Sequence, residues 1–353
     1  MAIGFDPETL ETIGDEVPLI EGVFRFGSDR PTQVAISDSG TLAYMPGGMS
    51  RIFQGTLAWV DREGREEPID EKPRLYSNVN ISPDGTRVAF QITVDGNADI
   101  WIYDLAHKTL TQLTRHEADD GSPLWTPDGK QIIFCSEREG NLSIFSIAAS
   151  GTEEAEQIAY IEDSYIWPFS LSNDGKTLSF GHWNLLDGYN IGIHSMDGAH
   201  APKLLLQDEY IKSYPRISPD GRWLAYQTNK TGQDEVYIHS FPDVDSGRKK
   251  QVSIGGGRYP VWSPDGKELF YVSFSGKQMV VSVEADPELK IGEPQILFDR
   301  RPYPGLDMDP KSRRFLAIKR VESTEDGSAQ GIPRKIIVVT NWFEELKDRV
   351  PVD

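Results

Sequence analysis

The sequence predicts an all-β fold, a seven-bladed β-propeller of four-stranded antiparallel blades. Three observations carry that expectation. A turn motif recurs at a nearly constant interval, four short strand-like runs separate successive turns, and no copy holds a useful length of helical periodicity. The turn is clearest in ISPDGTRVAF (81–90) and returns in WTPDGKQIIF, LSNDGKTLSF, ISPDGRWLAY and WSPDGKELFY. Its glycine falls at Gly40, Gly85, Gly129, Gly175, Gly221 and Gly266, in steps of 45, 44, 46, 46 and 45 residues. A further 46 residues lead to Ser312 in LDMDPKSRRFLAIKR, a worn seventh copy with Pro310 in the proline slot.

Each copy repeats one internal order. An apolar strand precedes the turn. Proline fixes φ at the first turn position, aspartate caps the turn with its side chain, and glycine takes the position that needs φ > 0. Asp84, Asp128, Asp174, Asp220 and Asp265 are therefore structural. A second strand follows (RVAFQI, QIIFCS, TLSFGH, WLAYQT, ELFYVS), then a polar loop and an alternating third strand such as DIWIYDL or EVYIHSF. A shorter fourth strand ends the unit, as in LTQLT and KLLLQ. Alternation with β-branched and aromatic residues is the strand signal. One small sheet cannot bury both its faces, whereas sheets ranged round an axis bury theirs against each other.

The expected division is 26–72, 73–117, 118–161, 162–208, 209–253, 254–299 and 300–353 for the seven blades. Residues 1–25 are expected to complete the last blade, with a strand near Val17–Val23, because MAIGFDPETLETIGDEVPL resembles the second half of the sixth copy. That mixing of termini would remove an open sheet edge. The alternative count is a six-bladed ring with a leftover flanking unit.

Lys and Arg number 36 against 55 Asp and Glu, a formal charge of −19, which disfavours nucleic acid and anionic membrane surfaces as partners. No apolar run reaches 18 residues, so no membrane span is expected. The opening segment lacks a basic region followed by an apolar core and does not read as a secretory leader. As given, the chain reads as soluble and cytoplasmic; as part of a longer chain, it would be extracytoplasmic. The single cysteine, Cys135, lies in the apolar run IIFCS and reads as a buried, inert thiol.

These residues resemble the WD40-like, TolB-type propeller repeat family. Its pattern of strand, S-P-D-G, strand and I-W-hydrophobic-D strand stands here as VNISPDGTRVAF…DIWIYDLAHKTLTQLT. The likeness runs over nearly the whole chain. It is closest to propeller regions associated with bacterial serine/threonine kinases, through LAWVDREGREE, SPDGRWLAYQTN…EVYIHSFP and VVTNWFEELK. The resemblance implies a scaffold that binds proteins or small ligands and implies no particular reaction.

The residues themselves carry no catalytic signature. Neither HRD nor DFG occurs, and no G-x-S-x-G elbow with a following α/β domain is present. The six histidines make no H-x-x-x-H pair, and no glycine-rich phosphate loop opens a helix. No cofactor and no metal are expected. The reading is a non-enzymatic, monomeric binding propeller for a protein or peptide partner or a small anionic ligand. The rival is a channel-centred enzyme, a metal-dependent lyase or hydrolase.

Candidate binding residues come from the first strands, which line the channel of a propeller. Four residues before the turn glycine, every copy is apolar. Five and seven before it, polarity varies: Asn80, Arg216 and Asp307 in one slot, Asn78, Tyr214 and Tyr259 in the other. The loops leading into these strands add Tyr76, Asp120, Trp167, Arg258 and Tyr303. These eleven residues are expected at the channel mouth, where aromatic and arginine side chains suit recognition.

Overall fold

The computed structural model describes residues 2–6, 11–17, 34–37, 39–44, 54–198, 200–285, 288–300, 305–321 and 336–349. The chain forms two compact units, Gln54–Val321 and the pair of segments Met1–Phe53 and Glu322–Asp353.

In Gln54–Val321 each turn motif joins the first two strands of an antiparallel sheet. Sheet I comprises the C-terminal part of Glu66–Ile81, then Arg87–Val94, Asn97–Asp104 and Thr109–Gln112. Sheet II comprises Asp120–Trp125, Gln131–Ser136, Ser143–Ala148 and Glu156–Ala159. Sheet III runs Tyr165–Leu171, Thr177–Asn184, Gly188–Ser195 and Lys203–Leu206; sheet IV runs Lys212–Ile217, Trp223–Thr228, Glu235–Ser240 and Lys249–Gln251. Sheet V has Arg258–Trp262, Glu268–Val272, Lys277–Glu284 and Gln295–Asp299, with Lys290–Ile291 paired to the far end of its third strand.

A closing sheet joins distant parts of the chain. Phe315–Arg320 pairs with Gly305–Met308 on one side and with Gln54–Val60 on the other. Gln54–Val60 in turn pairs with the N-terminal part of Glu66–Ile81. Buried apolar clusters fill each junction between neighbouring sheets. Phe90, Tyr76 and Val88 of sheet I meet Leu57, Leu316 and Ile318 of the closing sheet. Phe270 and Val280 of sheet V meet Phe315 and Met308 on its other side. Four further clusters lie between I and II, II and III, III and IV, and IV and V. Among the described residues the succession is thus closed by six sheets. Each fully buried phenylalanine stabilises a junction by about 1.5–3 kcal/mol.

The turns behave as their residue types require. Gly85 takes φ +69 and its N–H donates to the Ser82 carbonyl at 2.8 Å. Asp84 accepts from the Ser82 hydroxyl at 2.6 Å and from the Thr86 N–H at 3.1 Å. Successive turns also touch. Arg87 Nη2 donates to the Gly129 carbonyl at 2.9 Å, Asn173 Nδ2 to the Pro219 carbonyl at 2.8 Å, and Arg313 Nη2 to Asp265 at 2.5 Å. The turns therefore share one face. Because strands alternate in direction, the links into the first strands and the loops between second and third strands share the other, the mouth face.

The strand pairing differs from the expected division at both ends. The strands assigned to a seventh blade, 300–353 completed by 1–25, instead take Gln54–Val60 as their neighbour, with six residue pairs in regular register. Residues 54–72 accordingly leave the expected first blade, 26–72. In the other unit, Ala2–Asp6 pairs with Glu11–Val17 as a hairpin; the rest of the strand expected near Val17–Val23 lies outside the described residues. The first turn copy joins Val34–Ile36 to Leu42–Tyr44, and Ile337–Val339 adds a third strand. Helix α1, Trp342–Arg349, follows; the buried Trp342 donates its N–H to the Gly40 carbonyl at 2.7 Å. No helix among the described residues is long and apolar enough to cross a membrane.

Candidate functional site

The first strands of sheets I to V share a local irregularity. In each, the register shifts next to the residue seven before the turn glycine. Asn78, Ser122, Tyr214 and Tyr259 occupy that slot with φ of +43, +54, +55 and +56. Pro123, Pro215 and Pro260 follow three of them. A proline has no N–H for the ladder, so an extra residue is accommodated there as a bulge, and the bulge re-aims the side chain beside it. Left-handed φ at a tyrosine is uncommon and costs about 1 kcal/mol or more, and such strain concentrates at functional sites.

Sheets III, IV and V contribute most of the resulting cluster. Tyr214 and Tyr259 meet edge to face, with centroids 4.6 Å apart. Phe169 packs on Tyr214 at 4.9 Å, and Trp167 sits edge-on to Phe169 and to Tyr189 at 6.3 Å each. Burial, reinforced by the neighbouring Tyr259, pushes the Tyr214 hydroxyl above the usual phenol range. Arg216 reaches from sheet IV to donate Nη1 to the Phe169 carbonyl of sheet III. It keeps some contact with solvent yet is ringed by protein, as a side chain inside a narrow channel would be; this burial lowers its pKa, opposed by the charge of Asp307. Arg300 is enclosed likewise, and burial lowers its pKa to about 10. Its guanidinium lies 5.9 Å from the Tyr259 ring centre and donates to Gln278 Oε1 at 3.2 Å. Arg258 is half-exposed, with Nε 2.7 Å from Asp234 and the guanidinium 4.7 Å from the Phe274 ring centre.

Other expected residues are committed elsewhere. Asp120 is fully buried and both its oxygens accept from Arg138 Nη2 at 2.8 Å, so it anchors a loop rather than presenting a carboxylate. Tyr76 is 4% exposed, packed on Phe90, with its hydroxyl accepting from Arg74 at 2.5 Å; it belongs to the core. Asn78 is exposed and donates to Gln91 Oε1 at 2.8 Å. Asn80 and Asp307 bind each other at 3.1 Å and also hold neighbouring backbone. Burial pushes the Asp307 carboxyl up, against the pull of the Ile81 N–H and the Arg216 charge. Tyr303 lies outside the described residues.

Sequence reasoning missed Arg300 and Phe169. Arg300 precedes the worn seventh copy, where the repeat gives no register, and Phe169 stands where three other copies have proline. Also missed is the apolar rim. Leu185 and Leu186 of the sheet III loop are 89% and 95% exposed, and Ile254 before sheet V is 86% exposed. Phe274, Ile211, Tyr160 and Val94, also exposed, belong to loops or strand ends of the same mouth face.

Among the described residues no three His, Cys, Asp or Glu side chains gather as a metal set. His182, His194 and His239 are buried in sheets III and IV, and burial lowers their pKa values. Burial raises the Cys135 thiol to about 12, leaving it unreactive. A depression of about 550 Å³ lies away from this cluster, beside Pro68, Asp70, Arg74, Tyr103 and Lys108, where Arg74 and Asp70 already pair at 2.6 Å.

Comparison with known proteins agrees with this architecture. The TolB beta propeller domain model matches residues 37–237, more than half the chain, and the prolyl oligopeptidase N-terminal beta-propeller domain matches 208–285. The Tol-Pal system protein TolB of Helicobacter pylori (strain J99) is 28% identical over 167 residues, 44% of this chain and 37% of that protein. An uncharacterized peptidase, YuxL, of Bacillus subtilis (strain 168) is 27% identical over 200 residues, 44% of this chain and 30% of the relative. The chain thus spans about a third of the length of the curated relatives it matches. Among solved structures, a putative TolB from Agrobacterium tumefaciens superimposes with a TM-score of 0.63 at 19% identity, covering 77% of this chain and 99% of that one. An oligogalacturonate lyase in complex with manganese gives 0.52 at 12% identity, covering 87% and 80%, a likeness of fold alone. The recurring turn, the four-stranded sheets and the extent of the family match together make this chain a member of the TolB beta propeller domain family.

Proposed function

We propose that Gln54–Val321 is a six-bladed propeller that works as a non-enzymatic binding scaffold, taking a protein partner on its mouth face. One observation carries the reading. Apart from Ile296, the strongly exposed large apolar side chains of this unit belong to loops and strand ends of the mouth face, the face we take to carry the cluster of Trp167, Tyr214 and Tyr259. Exposed apolar groups gathered beside aromatic and arginine side chains are the composition of an interface centre. The Helicobacter relatives are named as proteins of the Tol-Pal system, which supports a protein as the ligand.

The test is affinity capture from native lysate with the wild-type chain and a Trp167→Ala, Arg258→Ala double variant, each checked for folding by thermal melt. An interface anchor is worth about 2 kcal/mol, so recovery of the partner should fall by well over tenfold. Undiminished recovery by a folded double variant would remove the mouth face from consideration.

A further inference from the structure

We infer that the channel of Gln54–Val321 contains a carboxylate-binding site built on the guanidinium of Arg216, with the Tyr214–Tyr259 pair and Arg300 as its walls. The inference rests on the binding role proposed above and names the chemical group that is recognised.

The first argument is an unmet donor. Arg216 Nη1 donates to the Phe169 carbonyl, but Nε is buried and has no hydrogen-bond partner. Buried donors are almost always satisfied, and an exception calls for a missing acceptor. Its nearest acid cannot serve. Asp307 Oδ2 accepts from the Ile81 N–H at 2.8 Å and from Asn80 Nδ2 at 3.1 Å, and Oδ1 from the Met308 N–H at 2.9 Å. Arg216 feels Asp307 only through space, and among the described residues it has no carboxylate at ion-pair distance.

The second argument is the match of shape and charge. With Nη1 on Phe169, the Nε–Nη2 edge of the fork remains, and two parallel N–H groups match the two oxygens of a carboxylate. Tyr214, edge to face with Tyr259, interacts through space with Arg216, Arg258 and Arg300. Arg258 is paired with Asp234, whereas Arg216 has no such partner among the described residues and supplies positive charge beside Tyr214. Asp307 nearby disfavours a second negative charge, which selects a monoanionic carboxylate over a phosphate dianion. Enclosure strengthens any anion that does enter. The carboxylate can belong to a free small acid or to an acidic side chain of a peptide.

The experiment is nitrogen-15 NMR of the arginine Nε–H groups in the full chain, with Arg216→Lys identifying the Arg216 signal. The probes are butyrate, inorganic phosphate, and a capped five-residue peptide with a central glutamate between leucines, beside its glutamine twin. A saturable downfield shift of the Arg216 Nε–H with butyrate or the glutamate peptide, and none with the glutamine twin, is expected. A response to butyrate alone marks a free acid as the source; a response to the peptide alone marks a peptide carboxylate. Arg216→Lys should weaken binding about tenfold or more, because lysine lacks the fork. If that variant fails to fold, the wild-type shift still decides. No shift with either carboxylate probe, or a stronger one with phosphate, overturns the inference. Partner capture that persists while both carboxylate probes fail would sink this site alone and leave the mouth-face reading standing.

Discussion

Trp125 donates its indole Nε1 to the main-chain carbonyl of Asn80 in the neighbouring sheet, at 3.1 Å, while its own N–H donates to Asn80 Oδ1 at 2.8 Å. The same joint recurs in part around the unit. Trp262 Nε1 donates to the Arg216 carbonyl at 2.9 Å, the Ile217 N–H to Ser170 Oγ at 2.9 Å, and the Ile81 N–H to Asp307 Oδ2 at 2.8 Å. The slot five residues before each turn glycine therefore staples sheets together through polar side chains, and Arg216 does so twice, through its carbonyl to Trp262 and through its Nη1 to the Phe169 carbonyl.

Asn80→Ala should destabilise the protein by about 1–3 kcal/mol, because the N–H of the buried Trp125 loses its acceptor. Urea unfolding measures this. A change within error would mean that water replaces the amide and the staple is dispensable.

Phe315–Arg320 pairs with Gln54–Val60, so the proposed six-bladed unit closes on its own strands; residues 1–25 are then not needed for it. Removing them should leave the main thermal transition unchanged, whereas Ala317→Pro, which puts a proline opposite Ala58 in the closing ladder, should abolish cooperative unfolding. A truncated chain that aggregates while Ala317→Pro melts normally would reverse this assignment.

Gly221 has φ +71 and no neighbouring atom where a Cβ would stand. Gly221→Val should therefore cost roughly 1–3 kcal/mol through backbone strain alone, and Gly221→Asn, which tolerates left-handed φ, should recover most of it. Equal melting temperatures for valine and glycine would show that the turn relaxes.

The turn aspartates predict acid sensitivity. The Ser82 hydroxyl holds Asp84 down to about 2, from an ordinary 3.8. The Thr126, Ser172 and Ser263 hydroxyls lower Asp128, Asp174 and Asp265 in the same way. Burial opposes the shift at Asp220, where Ser218 and Arg222 prevail. A carboxyl with a depressed folded pKa adds stability above its unfolded value, and that stability is lost as pH falls through the folded one. Stability should be flat above about pH 5 and fall between about pH 4 and pH 2. Asp84→Asn should shallow that fall in urea titrations across pH; an unaltered slope would show that other carboxylates control it.

Much of the fold was legible because the turn chemistry repeats: Pro-Asp-Gly names both a conformation and a register, and strand alternation supplies the rest. Closure was not legible, since the copy at 35–44 looks as good a first strand pair as any other. The strand that pairs with Phe315–Arg320 is Gln54–Val60, while the copy at 34–44 pairs with itself and Ile337–Val339. Within the candidate site, Tyr214, Tyr259 and Arg216 stood out because their slots vary in polarity beside a uniformly apolar one, and Trp167 because it lies at the entry to a first strand. Asp120 misled because its buried partner, Arg138, lies in a loop whose path the repeat does not fix. The exposed rim escaped notice because single leucines in hairpin loops carry no period.

Amide hydrogen exchange of the wild-type chain, alone and bound to its captured partner, tests the central claim most directly. The account predicts added protection on the mouth face, at 160–167, 184–188, 211–216, 254–259 and 273–276, with none at the Pro-Asp-Gly turns. Protection concentrated at 83–86, 127–130 and 219–222 instead would put the partner on the turn face and contradict the account.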